Sequence, residues 1–196
     1  VIGLFGGSFD PIHHGHLIVA QAVLEALALE ELRFVPARIQ PFKQGAGHGA
    51  TPEQRGEMVR LAIAGARGFA LETLELDRPG PSYTVDTLEA LHAREPGKEW
   101  VVLLGADAAR ELDLWHRADQ ISRLARVAAF ARPGAGAPAA RLVWRTLAVP
   151  AVDVSATEIR RRVRAGRPVR YWVPDAVAAY IAAHRLYREP HVDGEG

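Results

Sequence analysis

Apolar and polar positions along this chain alternate between a strand-like and a helix-like period. The apolar run Val1 to Phe5 leads into Gly6 and Gly7 and predicts a strand over 1–6, followed by a helix over about 15–29. A second strand falls at 31–36 (Glu-Leu-Arg-Phe-Val-Pro), and a loop rich in Gly, Pro and Gln spans about 37–50. Thr51-Pro52-Glu53-Gln54 is a capping box with proline at the first helical position, which marks where the second helix opens. A third strand is expected near 69–75, then a Pro-Gly-Pro turn and a helix from Tyr83 to Arg94. Trp100 to Leu104 is apolar throughout, as a strand buried on both faces must be. A short helix follows Gly105, and a fifth strand is expected near 126–131. Pro133 to Pro138 reads as an Ala/Gly/Pro loop, with a short strand near 147–149. Ser155-Ala156-Thr157-Glu158 is a second capping box, opening a helix that runs to about Ala165, where Gly166 and Pro168 stop it. Val173-Pro174-Asp175 begins a last helix ending near Tyr187, and the polar tail from Glu189 is expected to be loose.

This alternation predicts an α/β fold, a doubly wound parallel sheet of strand order 3-2-1-4-5 with a short C-terminal helical extension. With no internal repeat and no obvious linker, residues 1–188 read as a single domain and 189–196 as a flexible tail. Ligands in such sheets bind where the strand order reverses, at the carboxyl ends of strands one and four. The segments meeting there are Phe5 to His16 and Gly105-Ala106-Asp107, so topology alone brings a histidine-rich turn and an aspartate into one crevice.

Composition narrows the picture. The length of 196 residues suits one domain with a substantial core. A formal net charge of +1 argues against a general polyanion-binding surface. The absence of cysteine excludes disulfides and thiolate-ligated metals. No apolar run reaches transmembrane length and no signal peptide is visible, so a cytoplasmic enzyme is the default expectation, and Val1 is read as following a removed or unnumbered methionine. The basic residues are 22 arginines and two lysines, an imbalance that base composition explains. Lys98 sits in a Pro-Gly turn and reads as plain surface, whereas Lys43 lies in the long loop.

The chemistry concentrates in Gly6-Gly7-Ser8-Phe9-Asp10-Pro11-Ile12-His13-His14-Gly15-His16. Strand, glycine turn and helix N-terminus together point free N–H groups and the positive helix end at one place, an anion-binding architecture. His13 and His16, three apart at the start of a helix, can face one way. A zinc site is the rival reading, but helical zinc pairs are more often four apart with a nearby acid. The dinucleotide pattern Gly-x-Gly-x-x-Gly is absent, no acid ends strand two, and the Gly-Lys-Ser/Thr of a Walker loop is missing. Ser155 to Arg162 could be a helix cap followed by a solvated basic face. It could equally be a second phosphate cradle, built from the Ser155 and Thr157 hydroxyls, exposed amides and Arg160 one turn in, with Arg161 and Arg162 facing elsewhere.

Gly6-Gly7-Ser8-Phe9-Asp10-Pro11-x-His13-x-Gly15-His16, taken with Ser155-x-Thr157-x-Ile159-Arg160, resembles the nucleotidylyltransferase superfamily, whose hallmarks are an HxGH turn and a distal SxTxxR segment. Within it the chain resembles the bacterial nicotinate-nucleotide adenylyltransferases. That likeness is carried by Gly80-Pro81-Ser82-Tyr83-Thr84-Val85-Asp86-Thr87-Leu88, Gly105-Ala106-Asp107, Trp115, Arg132-Pro133-Gly134 and the closing Tyr180-Ile181 and Leu186-Tyr187, and it covers almost the whole chain. It implies a Rossmann-like fold and transfer of the adenylyl group of ATP to nicotinate mononucleotide, by in-line attack without a covalent intermediate, with Mg2+ accompanying ATP and no protein side chain as a metal ligand. It implies catalytic roles for His13, His16, Lys43 and Arg160. ATP would meet Gly6, Gly7, Ser8, Phe9, His13, His16, Gly105, Arg132, Ser155, Ala156, Thr157 and Arg160. Nicotinate mononucleotide would meet Ser8, Lys43, Thr84, Asp107 and Trp115, with Trp115 stacked on the pyridine ring. The chain departs from the family at Phe42, where histidine is usual, and at Ala156, where serine is common. The implied partners are the two small-molecule substrates, with a homo-oligomer left open, and neither nucleic acid nor membrane. Two rivals share the phosphate motifs: pantetheine-phosphate adenylyltransferase, whose chains are generally shorter and lack Ser-Tyr-Thr-Val-Asp-Thr-Leu, and a nucleotide-binding protein without turnover.

Overall fold

The central strands are those with apolar side chains on both faces. In the computed structural model, which describes residues 1–39, 49–131 and 141–188, β1 (Ile2–Gly7) pairs in parallel with β2 (Glu31–Pro36) and with β4 (Trp100–Gly105). β3 (Phe69–Leu71) extends the sheet beyond β2, and β5 (Arg126–Ala131) and β6 (Arg145–Ala148) extend it beyond β4. The order is β3-β2-β1-β4-β5-β6, which is the expected 3-2-1-4-5 with the short strand near 147–149 added as a sixth.

Alternation along the strands sorts the core into two layers. Ile2, Leu4, Trp100, Val102, Leu104 and Val127 face Val85, Leu88 and Leu91 of α4 (Thr84–Arg94) and Ile121 of α6 (Ala118–Leu124). Phe5, Leu32, Phe34, Val101, Leu103 and Ala128 face the other way. They are covered by α1 (His14–Ala26), α2 (Pro52–Ala62), α7 (Ala156–Arg164) and α8 (Asp175–Ala183), through Val23, Met58, Ile159 and Val177. Among the described residues no helix is long and apolar enough to cross a membrane.

Three local readings change. The third strand stops at Leu71 instead of running to 75: the Glu72 carboxylate accepts from Leu74 N (3.2 Å), and the Thr73 carbonyl accepts from Leu76 N (2.8 Å), turning the chain into the short helix α3 (Leu74–Asp77). Helix α6 was not foreseen, because it starts at Arg117 in a left-handed conformation (φ 53°) without a side-chain cap. The last helix ends at Ala183, after which Arg185 and Tyr187 adopt positive φ (52° and 61°) and break the helical path. At the carboxyl ends of β1 and β4 the chain leaves for opposite faces of the sheet, and α5 (Ala106–Arg110) begins directly after Gly105.

Candidate active site

The turn after β1 is built around close contacts. A side chain at Gly6 would meet nothing within 4 Å, so its backbone faces open space. At Gly7 a Cβ would come within 3.0 Å of the Phe9 ring. Phe9 is buried although its φ is 49°, a conformation uncommon for a bulky residue, and its ring packs edge-on against Phe5 (5.8 Å) and His16 (5.1 Å). It therefore supports His16 from below and lines neither cavity described next.

His13 caps α1, its carbonyl accepting from His16 N (2.9 Å) and Leu17 N (3.3 Å). Its own N–H donates to His16 Nδ1 at 3.2 Å. That bond makes Nδ1 the acceptor and leaves the proton of the neutral ring on Nε2, so His16 offers a donor away from the turn. The two rings stack with centroids 3.7 Å apart. Burial, followed by the charge of a neighbouring histidine, pushes the His13 pKa down to about 4 and holds His16 well below its ordinary 6.5. His13 Nδ1 is buried without a hydrogen-bond partner among the described residues. A Cβ at Gly15 would crowd the His13 ring, 3.0 Å from Nδ1, and lie 3.5 Å from the Val154 carbonyl.

That last contact brings the distal segment to the histidine turn. Ser155 caps α7, its Oγ accepting from Glu158 N at 3.2 Å. The reciprocal half of the expected box is missing because Glu158 pairs with Arg161 (2.7 and 2.9 Å). Arg160 turns toward the histidine turn, and Nη1 donates to the Asp10 carbonyl at 2.7 Å. Its Nη2 lies 3.4 Å from Thr157 Oγ1. Arg161 and Arg162 point elsewhere, the latter to the Pro168 carbonyl (3.0 Å) and over the Trp172 ring.

Two cavities meet at this switch point. One, of about 660 Å3, is lined by Gly6, His13, His16, Gly105, Phe130 and the 149–154 segment through Val149, Val152 and Val154. Its polar lining is histidine and main chain, together with Asp107 and Arg110, which hydrogen-bond each other. The other, of about 510 Å3, is mostly apolar and lies between the strand ends and the start of α4, lined by Val35, Glu75, Tyr83, Thr84 and Trp115. Tyr83 makes no side-chain cap at the start of α4, and Tyr83, Thr84 and Thr87 of this first turn line the second cavity. Phe5, Gly6, Gly105 and Asp107 line both cavities, forming the wall between them.

Of the residues singled out from sequence, Gly6, His13, His16, Gly105 and Asp107 converge on the first cavity, and Gly7, Thr84 and Trp115 on the second. Ser155, Ala156, Thr157 and Arg160 stand beside the first cavity without lining it. Ser8 is half-buried, with its carbonyl bound by Arg55. Lys43 and Arg132 lie outside the described residues. Sequence reasoning missed Arg55, Arg110 and the buried Glu75. Arg55 is completely buried on α2 and donates to the carbonyls of Ser8 (2.7 Å), Ala37 (2.7 Å) and Arg38 (3.1 Å), tying together the loops that leave β1 and β2. Glu75 accepts from Thr87 Oγ1 at 2.8 Å, and burial pushes its carboxyl up. An arginine and a glutamate on amphipathic helices look solvated in one dimension, so only their burial reveals them.

Comparison with known proteins follows the same lines. A family profile described as cytidylyltransferase-like matches residues 4–162. The curated protein named "Probable nicotinate-nucleotide adenylyltransferase" of Thermus thermophilus is 49% identical over 187 residues, covering 95% of this chain and 99% of its own. The protein of the same name from Roseiflexus sp. is 46% identical over 197 residues, covering 95% and 98%. The solved nicotinic acid mononucleotide adenylyltransferase of Plasmodium falciparum in complex with NaAD superposes with a TM-score of 0.76 over 95% of this chain and 96% of its own, at 17% identity, a likeness of fold.

Proposed function

Because the chain belongs to the nicotinate-nucleotide adenylyltransferase family, we propose that its two adjoining cavities hold ATP and nicotinate mononucleotide while the adenylyl group passes between them. The observation that carries this assignment is the shared wall of Phe5, Gly6, Gly105 and Asp107. A triphosphate in the histidine-lined cavity and a mononucleotide in the apolar one meet along this wall, where Gly6 and Gly105 leave room that a side chain would occupy. An oxygen of the mononucleotide phosphate attacks the α-phosphorus of ATP. The bond from that phosphorus to the α,β-bridging oxygen breaks, and pyrophosphate leaves with its electrons. The products are nicotinate adenine dinucleotide and pyrophosphate.

The described residues contribute position and charge stabilisation. Neutral His16 donates from Nε2 to the α-phosphate as negative charge builds there, and His13 beside it offers a second ring donor. Both start uncharged, so bound phosphate draws protons toward them. Gly6, Gly7 and Ser8 admit the phosphates close to main chain, with Phe9 seating His16 beneath them. Gly105 opens space for the nucleotide, and Ser155, Ala156, Thr157 and Arg160 close over the β- and γ-phosphates. Arg132 adds a cation to the same phosphates in this reading. On the acceptor side, Trp115 stacks on the pyridine ring and Asp107 accepts from a ribose hydroxyl. Lys43 and Ser8 flank the acceptor phosphate, and Thr84 at the open start of α4 faces the ring carboxylate. The donor set of the phosphate cavity, histidine and main chain with Asp107 engaged by Arg110, suits phosphate oxygens better than a cation. Mg2+ would arrive with ATP and not on protein side chains, and would supply charge neutralisation for the leaving pyrophosphate. The reading makes this a cytoplasmic enzyme.

Pyrophosphate release from ATP, Mg2+ and each acceptor tests the proposal. Turnover is expected with nicotinate mononucleotide, slower turnover with the amide form, and none with phosphopantetheine. Robust use of phosphopantetheine overturns the acceptor assignment, and release with no acceptor accepted at all overturns the transfer itself.

A further inference from the structure

We propose that Tyr187 is a positioning residue for ATP, acting through Asp10 on Arg160; the idea rests on the reading of Arg160 given above. Asp10 is buried, with 3% of its surface exposed, in the turn that leads to His13. Its Oδ1 accepts from Tyr187 Oη (2.8 Å) and Ala50 N (3.2 Å), and its Oδ2 accepts from Gly49 N (2.9 Å). Arg160 meets the same residue twice: Nη1 donates to the Asp10 carbonyl at 2.7 Å and lies 4.0 Å from Oδ2. Segments from the first turn, the second helix start, α7 and the chain end thus meet at one carboxylate.

Packing alone does not account for the hydroxyl. The Tyr187 ring is pressed against the main chain at Gly49, where a Cβ would come within 2.5 Å of it, so a phenylalanine would fill the same space. The tyrosine is seated with φ at 61°, a conformation that costs an aromatic residue energy and persists only where the surroundings fix it. Burial, then the charge and hydrogen bond of Asp10, hold the phenol pKa far above its usual value, so Tyr187 remains a donor and Asp10 its acceptor. A carboxylate held at both oxygens cannot rotate. Its peptide is fixed with it, and the Asp10 carbonyl then aims one arm of the Arg160 guanidinium. Because the guanidinium is a rigid planar fork, fixing Nη1 also fixes Nη2, which lies 3.4 Å from Thr157 Oγ1 at the start of α7, beside the phosphate cavity. Without the hydroxyl, Asp10 loses one of its buried donors and Arg160 gains freedom it must surrender when ATP binds.

A double-variant cycle on the full chain tests this. ATP dissociation constants are measured by calorimetry for the parent, Tyr187→Phe, Arg160→Ala and the double variant, with melting temperatures recorded alongside. Tyr187→Phe is expected to weaken ATP about tenfold when Arg160 is present, the scale of one hydrogen bond to a charged group, and by less than about twofold when Arg160 is alanine. The KM for nicotinate mononucleotide is expected to stay unchanged. Equal losses in both backgrounds, or no loss in either, overturn the proposal. Turnover by the parent is scored separately: the binding cycle stands without it, so failure of the functional reading and failure of this inference give different results.

Discussion

His13 and His16 lose their charge through the turn that holds them. The rings stack at 3.7 Å with His16 packed against Phe5 and Phe9; burial desolvates both, and a charge on His13 would repel a proton on His16. Neutral imidazoles suit phosphate that arrives carrying its own cation, since they donate hydrogen bonds without a pre-existing ion pair to dismantle. Replacing His16 by alanine is expected to lower kcat by roughly 10²–10³, the scale of one preorganised charge-stabilising contact. Near-normal turnover in a steady-state assay would remove His16 from the chemistry. The same burial makes stability depend on pH. The folded His13 pKa of about 4 lies below its ordinary 6.5, so between those values the unfolded chain binds more protons. This contribution is whole above pH 6.5 and drains away as pH falls toward 4, on the order of 3 kcal/mol across the window. Melting temperatures from pH 7.5 to 4.5 should fall accordingly, and more shallowly for His13→Asn; identical slopes would contradict the assignment. That two histidines cluster at a helix start is plain from the sequence. That they are stacked, buried and uncharged is not, because rings from β1, β2 and the turn itself create the apolar surroundings.

The helix starts at Thr51 and Ser155 were legible from their caps, whereas the short helices α3 and α6 were not. Thr51 and Gln54 exchange both hydrogen bonds of the predicted box (3.2 and 2.9 Å), with Pro52 at the first position. Thr51→Ala should cost about 1 kcal/mol, read from chemical denaturation with an unchanged slope. A cost near zero would mean that packing alone holds α2. At Ser155 the same signature is half realised, because Glu158 answers Arg161 in place of the backbone, a competition that four residues of sequence do not reveal. Helices α3 and α6 are shorter than chain propensity can sustain. They exist because the rest of the fold buries Leu76 and Ile121, and no pattern within the segment announces that.

For the whole molecule, the parallel sheet places two cavities against one strip of backbone. Gly6 belongs to both, and the space above it is open, so Gly6→Val should fold with a melting temperature close to the parent's. Its side chain would still stand where the phosphates of both substrates must approach, and kcat/KM for ATP should fall by roughly 10². Unimpaired turnover would show that the shared wall is not where transfer occurs. The same scale explains Asp10, whose partners at Gly49, Arg160 and Tyr187 come from distant parts of the chain. In sequence Asp10 is one acid among the residues of a phosphate motif, and Tyr187 is one apolar position in a closing helix.

Periodicity, capping residues and glycine placement act within a few residues of themselves, and these determined the strands, the order 3-2-1-4-5 and the convergence of Gly6 to His16 with Gly105 to Asp107. Burial, the protonation it enforces and the partners of Arg55, Asp10, Glu75 and Arg160 were decided only in three dimensions. Desolvation and hydrogen-bond geometry depend on which distant segments exclude water from a group, and the order of residues along a chain carries that information only after the chain has packed.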